Sequence, residues 1–146
     1  MDKALSKLTI RLHIFQEDGV IVKTRLEKAS QFEIIGEPFS FMGEYLEGKN
    51  LAHLLKPLPL RPFSRIVLEE TARIPFGQTI SYSGLAEKIG RPTACRAVAM
   101  ALHHNPLPLF IPCHRVIAKD GSIGGFGFGV WMKKKILSFE NQHLKN

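Results

Sequence analysis

From Leu8 to Lys28 the chain alternates apolar and polar residues on both sides of Glu17-Asp18-Gly19. That period of two around an Asp-Gly turn predicts a β-hairpin, with Ile10, Leu12 and Ile14 or their alternates facing a core. The β-branched run Val20, Ile21 and Val22 continues the sheet. Residues 29–37 carry a third short strand around Phe32, Ile34 and Ile35 that stops at Gly36. Pro38 to Gly48 then changes period: Phe41, Tyr45 and a terminal glycine stand at helical positions, which predicts a short helix. Leu51 to Pro62 is punctuated by prolines and reads as a connection between two parts.

The second part is helical in pattern. Ser64 is placed to cap a helix in which Ile66, Val67 and Ala72 or Ile74 form one stripe, and Pro75 stops it. Ile80, Ser81 and Tyr82 lead into a helix that ends at Gly90, and Arg91-Pro92 makes a tight connection. Thr93 caps the following helix, which Asn105-Pro106 closes. Helix, short turn and helix with small residues at the crossing is the helix-turn-helix pattern. Its second helix is thin, because Ala94, Ala97, Ala99 and Ala101 leave the backbone bare while Arg96 projects from the first turns. Such a helix either packs closely on a neighbour or approaches a duplex, with Arg96 free to take the place of a base lifted from the stack. Lys119-Asp120-Gly121 is a turn, and Gly124 to Gly129 is a loop that exposes its backbone or else the tip of a tight hairpin. A final helix from about Val130 to His143 carries Lys133, Lys134 and Lys135 outward and Ile136, Leu137 and Phe139 inward, with Glu140 in solvent near its end.

Between these elements lies Leu107 to Ile117, L-P-L-F-I-P-C-H-R-V-I, where an apolar run bracketed by prolines delivers Cys113 and His114 side by side. Taken alone it is equally a strand with a buried cysteine, the commonest fate of that residue. The neighbours add chemistry: His114 is a base and Arg115 a fixed charge, surroundings that lower a thiol pKa and expose thiolate.

Composition narrows the setting. At 146 residues and 45% hydrophobic content the chain makes one domain or two small ones with a real core. No apolar run approaches the roughly 20 residues a membrane helix needs, and the N-terminus has no secretory pattern, so no membrane is expected and the cytoplasm is. Two cysteines, Cys95 and Cys113, are too few for a disulfide framework. The formal charge of +7 is uneven: residues 80–146 hold nine Lys and Arg against three Asp and Glu, whereas residues 1–79 hold eleven against ten. A polyanionic partner would therefore meet the half that contains Cys113.

With these residues in view the chain resembles the O6-alkylguanine-DNA alkyltransferases, the methylated-DNA–protein-cysteine methyltransferases. The resemblance runs from about Phe63 to Glu140 through I-S-Y-S-G-L-A, R-A-V-A, N-P-L-P-L-F-I-P-C-H-R-V-I, a glycine-rich segment and K-x-x-x-L-x-x-E. It implies an α/β protein: a small ribonuclease-H-like α/β domain over residues 1–56, a linker over 57–62, and a mostly helical winged helix-turn-helix domain over 63–146. It also implies stoichiometric, irreversible transfer of an alkyl group from O6-alkylguanine, and from O4-alkylthymine, in double-stranded DNA to Cys113 after nucleotide flipping, by a monomer without a cofactor. His114 would take the thiol proton through a water, Glu140 would orient His114, Asn105 would buttress the turn, and Tyr82 would donate toward the leaving guanine with Lys133 nearby. Arg96 would fill the gap in the duplex, and Tyr82, Thr93, Ala94, Ala97 and Arg115 would contact DNA. Leu102, Pro108, Val116, Phe126, Gly127 and Phe128 would form the pocket.

Two departures from the family pattern stand in the glycine-rich loop, where Phe126 replaces a tyrosine and Gly127 stands where a polar side chain is common. No cysteine precedes Cys95, so a Cys-rich zinc site is not supported, and no metal is assigned to His103, His104, Cys113 and His114. Cys95 reads as a packing residue. The alternatives are a non-catalytic protein that binds alkyl lesions, which would lack the acceptor cysteine; a transcription regulator, which would need base-reading side chains where the alanines stand; and a thiol hydrolase, which would turn over.

Overall fold

The computed structural model describes residues 5, 7–37 and 40–145. Strands β1 (Ile10–Glu17) and β2 (Val20–Lys28) form the expected antiparallel hairpin, turning at Asp18 and Gly19, both at positive φ, the two-residue geometry that an Asp-Gly pair favours. Inward positions are Ile10, Leu12 and Ile14 on β1 and Ile21, Thr24 and Leu26 on β2. The inward side of β2 changes parity between Ile21 and Thr24 because the register shifts at Phe15/Gln16, a bulge. Strand β3 (Glu33–Ile35) pairs parallel with β1, giving the order β2-β1-β3 with β2 at an edge.

Helix α1 (Phe41–Leu46) occupies part of the predicted 38–48 helix; Pro38 and Phe39 lie outside the described residues. Gly48, at φ +74, ends it in a paired cap, its N–H on Tyr45 O and that of Lys49 on Glu44 O, both at 3.0 Å. That cap fixes the turn from which Tyr45 points inward. The segment Leu51–Pro62 is more than a connection: it holds a 3-10 turn at Ala52–Leu55 and buries Leu51, Leu55 and Leu58. The Arg65 guanidinium secures it by donating to Leu55 O at 3.0 Å and Leu58 O at 2.6 Å.

Helix α2 (Pro62–Thr71) corrects two expectations. It begins before Ser64, because Pro62 at the first helical position supplies the helical φ and lacks only an N–H that would be unpaired anyway. It ends at Thr71, before Pro75 is reached. Strand β4 (Ile80–Ser81) then leads straight into α3 (Tyr82–Lys88), capped by Ser81 Oγ accepting from Gly84 N–H at 2.9 Å. Helix α4 (Cys95–His103) starts from Ala94 without a side-chain cap, so the cap assigned to Thr93 is not made. A 3-10 turn at Cys113–Arg115 runs into β5 (Val116–Ile117), which pairs parallel with β4 through Ile80↔Val116 and Ser81↔Ile117.

Helix α5 (Val130–Lys145) closes the chain. Ile136 and Phe139 are buried as expected and Leu137 half-buried, but Lys133 and Glu140 are buried too, against the outward and solvated positions read from the sequence. The molecule is thus a mixed α/β fold, a small sheet with helices, whose buried residues run continuously from β1 and β2 through α2 and α4 to α5.

Candidate active site

The segment from Asn105 to Val116 is shaped by its own side chains. Asn105 accepts the Leu107 N–H at Oδ1 (3.0 Å) and donates from Nδ2 to Ile111 O (2.8 Å), tying the two ends of the turn together. Leu109, fully buried, takes the left-handed conformation at φ 78, a strain that surrounding packing must hold. Ile111 O then accepts the Cys113 N–H at 2.8 Å, and the 3-10 turn sends the side chains of Cys113 and His114 in different directions. Because β5 pairs with β4, Tyr82 at the start of α3 is brought to the same pocket as Cys113.

His114 is completely buried. Its Nε2 lies 2.8 Å from Glu140 Oε2, while its Nδ1 is buried with no hydrogen-bond partner among the described residues. Glu140 collects four contacts: His114, Tyr45 O–H on Oε2 at 2.7 Å, and Arg115 through Nε on Oε1 at 2.9 Å and Nη2 on Oε2 at 2.8 Å. Burial alone would raise the Glu140 carboxyl, but His114 and Arg115 more than offset it and hold the group far below the usual carboxylate range. Burial also lowers the His114 pKa, and this outweighs the opposing pull of Glu140, so the ring is a neutral base. Tyr45 is pushed well up by burial and by Glu140, and so stays a donor.

These contacts correct two sequence readings. Arg115 does not face DNA: its guanidinium is buried against Glu140, donates from Nη1 to Ile74 O at 2.8 Å, and packs over the Phe76 ring. With that charge engaged elsewhere, burial pushes the Cys113 thiol up, against smaller lowering effects from Asn105 and Lys133. The resting group is therefore a thiol, not a standing thiolate, and needs a base when it reacts. Tyr45 was not singled out in the sequence. Its only signal there was an aromatic residue on the inner face of a short helix, which reads as packing.

Cys113 is 9% exposed and lines a pocket of about 520 Å³. Leu102, Asn105, Tyr82, Phe126, Gly127 and Phe128 line it as well, together with Ala99, His103 and Gly125, which the sequence reading did not assign. Pro108 and Val116 are buried outside that wall. Lys133 donates to Val116 O at 2.7 Å and Gly125 O at 3.0 Å, and sits 5.7 Å from the Tyr82 ring centre. Burial pushes its pKa down to about 8, with Cys113 opposing. Burial and Cys113 likewise raise Tyr82. Next to the pocket α4 presents Thr93, Arg96 and Ala97 to solvent ahead of and along its outer face, with Ala94 half-buried. Among the described residues no three His, Cys, Asp or Glu side chains gather as a metal site, and no helix is long and apolar enough to cross a membrane.

Fold and site define a mixed α/β protein that offers one cysteine thiol to a pocket, with a buried imidazole following it in the same turn and paired to a carboxylate on α5. Residues 62–142 match the family model of the 6-O-methylguanine DNA methyltransferase DNA-binding domain. A methylated-DNA–protein-cysteine methyltransferase of Methanocaldococcus vulcanius is 49% identical over 83 residues, 57% of this chain and 50% of that one. One from Saccharolobus islandicus is 44% identical over 71% of this chain and 68% of its own length. A probable methylated-DNA–protein-cysteine methyltransferase of Acanthamoeba polyphaga mimivirus is 35% identical over 86% of this chain and 85% of its own. Against the Methanocaldococcus relative the chain therefore aligns with half the length. Among solved structures, Mycobacterium tuberculosis OGT in complex with DNA superposes with a TM-score of 0.69 at 26% identity, covering 91% of this chain and 94% of that one. The chain belongs to the 6-O-methylguanine DNA methyltransferase family.

Proposed function

We propose that the chain repairs O6-alkylated guanine, and O4-alkylated thymine, in double-stranded DNA by moving the alkyl group once and irreversibly onto Cys113. The observation that carries this reading is the thiol on the pocket wall, in a turn whose next residue is a neutral imidazole held by an ionised carboxylate. His114 Nδ1, polar and without a hydrogen-bond partner among the described residues, takes the thiol proton through one bridging water. The sulfur then attacks the alkyl carbon in line, a C–S bond forms as the C–O bond breaks, and the electron pair leaves on the guanine. The Tyr82 hydroxyl faces the leaving base, and the Lys133 ammonium offsets its developing charge. A thioether has no good leaving group, so each molecule acts once.

Extruding a nucleotide costs on the order of a few kcal/mol. In this reading Arg96, exposed on the first turn of α4, enters the duplex to replace it, and the alanines let the helix backbone come close. Residues 63–146 then work as a winged helix-turn-helix unit, with residues 1–56 as a ribonuclease-H-like companion, in a monomeric cytoplasmic protein. Replacing Cys113 by Ser tests the assignment. Transfer from an O6-methylguanine duplex should stop while affinity for the duplex stays within about twofold, since the sulfur takes no part in phosphate contacts. Continued stoichiometric transfer by Cys113→Ser would refute it.

A further inference from the structure

The active-site turn is held from two sides, and the second side belongs to the N-terminal sheet. Pro106 and Pro108 have no N–H to donate, so at both positions this bent stretch offers only acceptors to a neighbour. Thr24 meets both. Its backbone N–H, on the outer edge of β2, donates to Pro106 O at 2.9 Å, and its hydroxyl donates to Pro108 O at 2.8 Å. The residue is 1% exposed, and the other inward positions of the strand, Ile21 and Leu26, are apolar. A valine would fill the same space, so the hydroxyl is the chemical difference.

Those two carbonyls lie just ahead of the step into the left-handed residue. Leu109 follows Pro108 directly, Ile111 N–H returns to Leu107 O at 2.8 Å, and Ile111 O receives the Cys113 N–H. Pro108 sits between Leu107, whose carbonyl receives the Ile111 N–H, and Leu109, so a shift of Pro108 moves the turn whose Ile111 O holds the Cys113 N–H. Asn105 ties the turn from within; Thr24 ties it from outside.

We propose that Thr24 is a positioning residue for the Cys113 sulfur, its hydroxyl setting the rate of alkyl transfer and not the affinity for DNA. The proposal rests on the transfer reading above. The parent chain, Thr24→Val and Thr24→Ser are compared by single-turnover transfer from an O6-methylguanine duplex at saturating protein, with duplex affinity measured separately. Misplacing a reacting atom by a fraction of an ångström lowers rates by about tenfold or more, so Thr24→Val should slow the saturating rate constant by about that factor. Its affinity should stay within about twofold of the parent, because phosphate contacts are untouched. Thr24→Ser keeps the donor and should stay within about threefold of the parent rate. Thr24→Ala, which keeps the backbone N–H, carries the same expectation as Thr24→Val and replaces it should the valine variant not fold. Thr24→Val or Thr24→Ala at the parent rate overturns the clamp alone, as does Thr24→Ser slowing as much as they do, or a defect confined to affinity. A parent that leaves Cys113 unalkylated overturns the transfer reading and the clamp with it.

Discussion

At the scale of single residues the site works by giving buried charges partners that differ in kind. His114 and Arg115 hold Glu140 ionised, the Tyr45 hydroxyl donates to it as well, and Glu140 in turn fixes the His114 ring while burial keeps that ring neutral. Removing one partner of such a buried pair typically costs about 3–5 kcal/mol, more than the pair contributes over apolar packing. Lys133 shows the same trade: its shift from 10.5 to about 8 corresponds to roughly 3 kcal/mol against the charged form, yet the ammonium persists at neutral pH and meets two carbonyls. His114 also sets a pH dependence. Its folded pKa lies below the ordinary 6.5, so the unfolded chain binds its proton first and stability falls as pH drops through and below that value. Glu140, depressed from 4.5, adds a further loss below that pH. Denaturant midpoints should therefore fall between pH 7.5 and pH 5.5, and the fall should flatten in His114→Asn; a midpoint unchanged across that interval contradicts a buried neutral imidazole.

At the scale of elements, legibility followed local rules. The hairpin was readable because alternation and an Asp-Gly turn are encoded within a few residues, and β3 and the position of α3 followed similarly. Helix starts were not, since α2 begins at a proline and α4 at an uncapped alanine, where a search for capping hydroxyls points to Ser64 and Thr93. The three consecutive lysines near the start of α5 look alike in sequence; only tertiary acceptors on Val116 and Gly125 distinguish the buried Lys133 from exposed Lys134 and Lys135. Arg115 was misread for the same reason, its partner lying on α5. For α4 the reading makes a graded prediction. Arg96→Ala should slow alkyl transfer by about tenfold or more, as expected when a group that stabilises the flipped state is lost. Its binding to undamaged duplex should weaken only as one phosphate-range charge would, with the salt slope changing by less than about 1. Equal losses in transfer and in nonspecific binding would contradict an intercalating role.

Across the whole molecule the two parts of the chain meet at the chemistry. The basic surplus in residues 80–146 and the cysteine-bearing turn were visible in the sequence, as was the pocket-facing loop at Phe126–Phe128. What was not visible is that the first part reaches the site twice, through Tyr45 on Glu140 and through Thr24 on the proline-flanked turn. Contacts across 95 and 84 residues leave no local signature, because each residue alone looks like ordinary packing. The account stands on Cys113 being the atom that carries the alkyl group away. Intact mass after mixing the protein with an excess of an O6-methylguanine duplex, followed by peptide mapping, measures this directly. The account predicts the gain of a single methyl group per molecule, located on Cys113, with an equal amount of guanine restored. An unchanged mass, a methyl group on Cys95, or restoration continuing beyond one guanine per protein would contradict it.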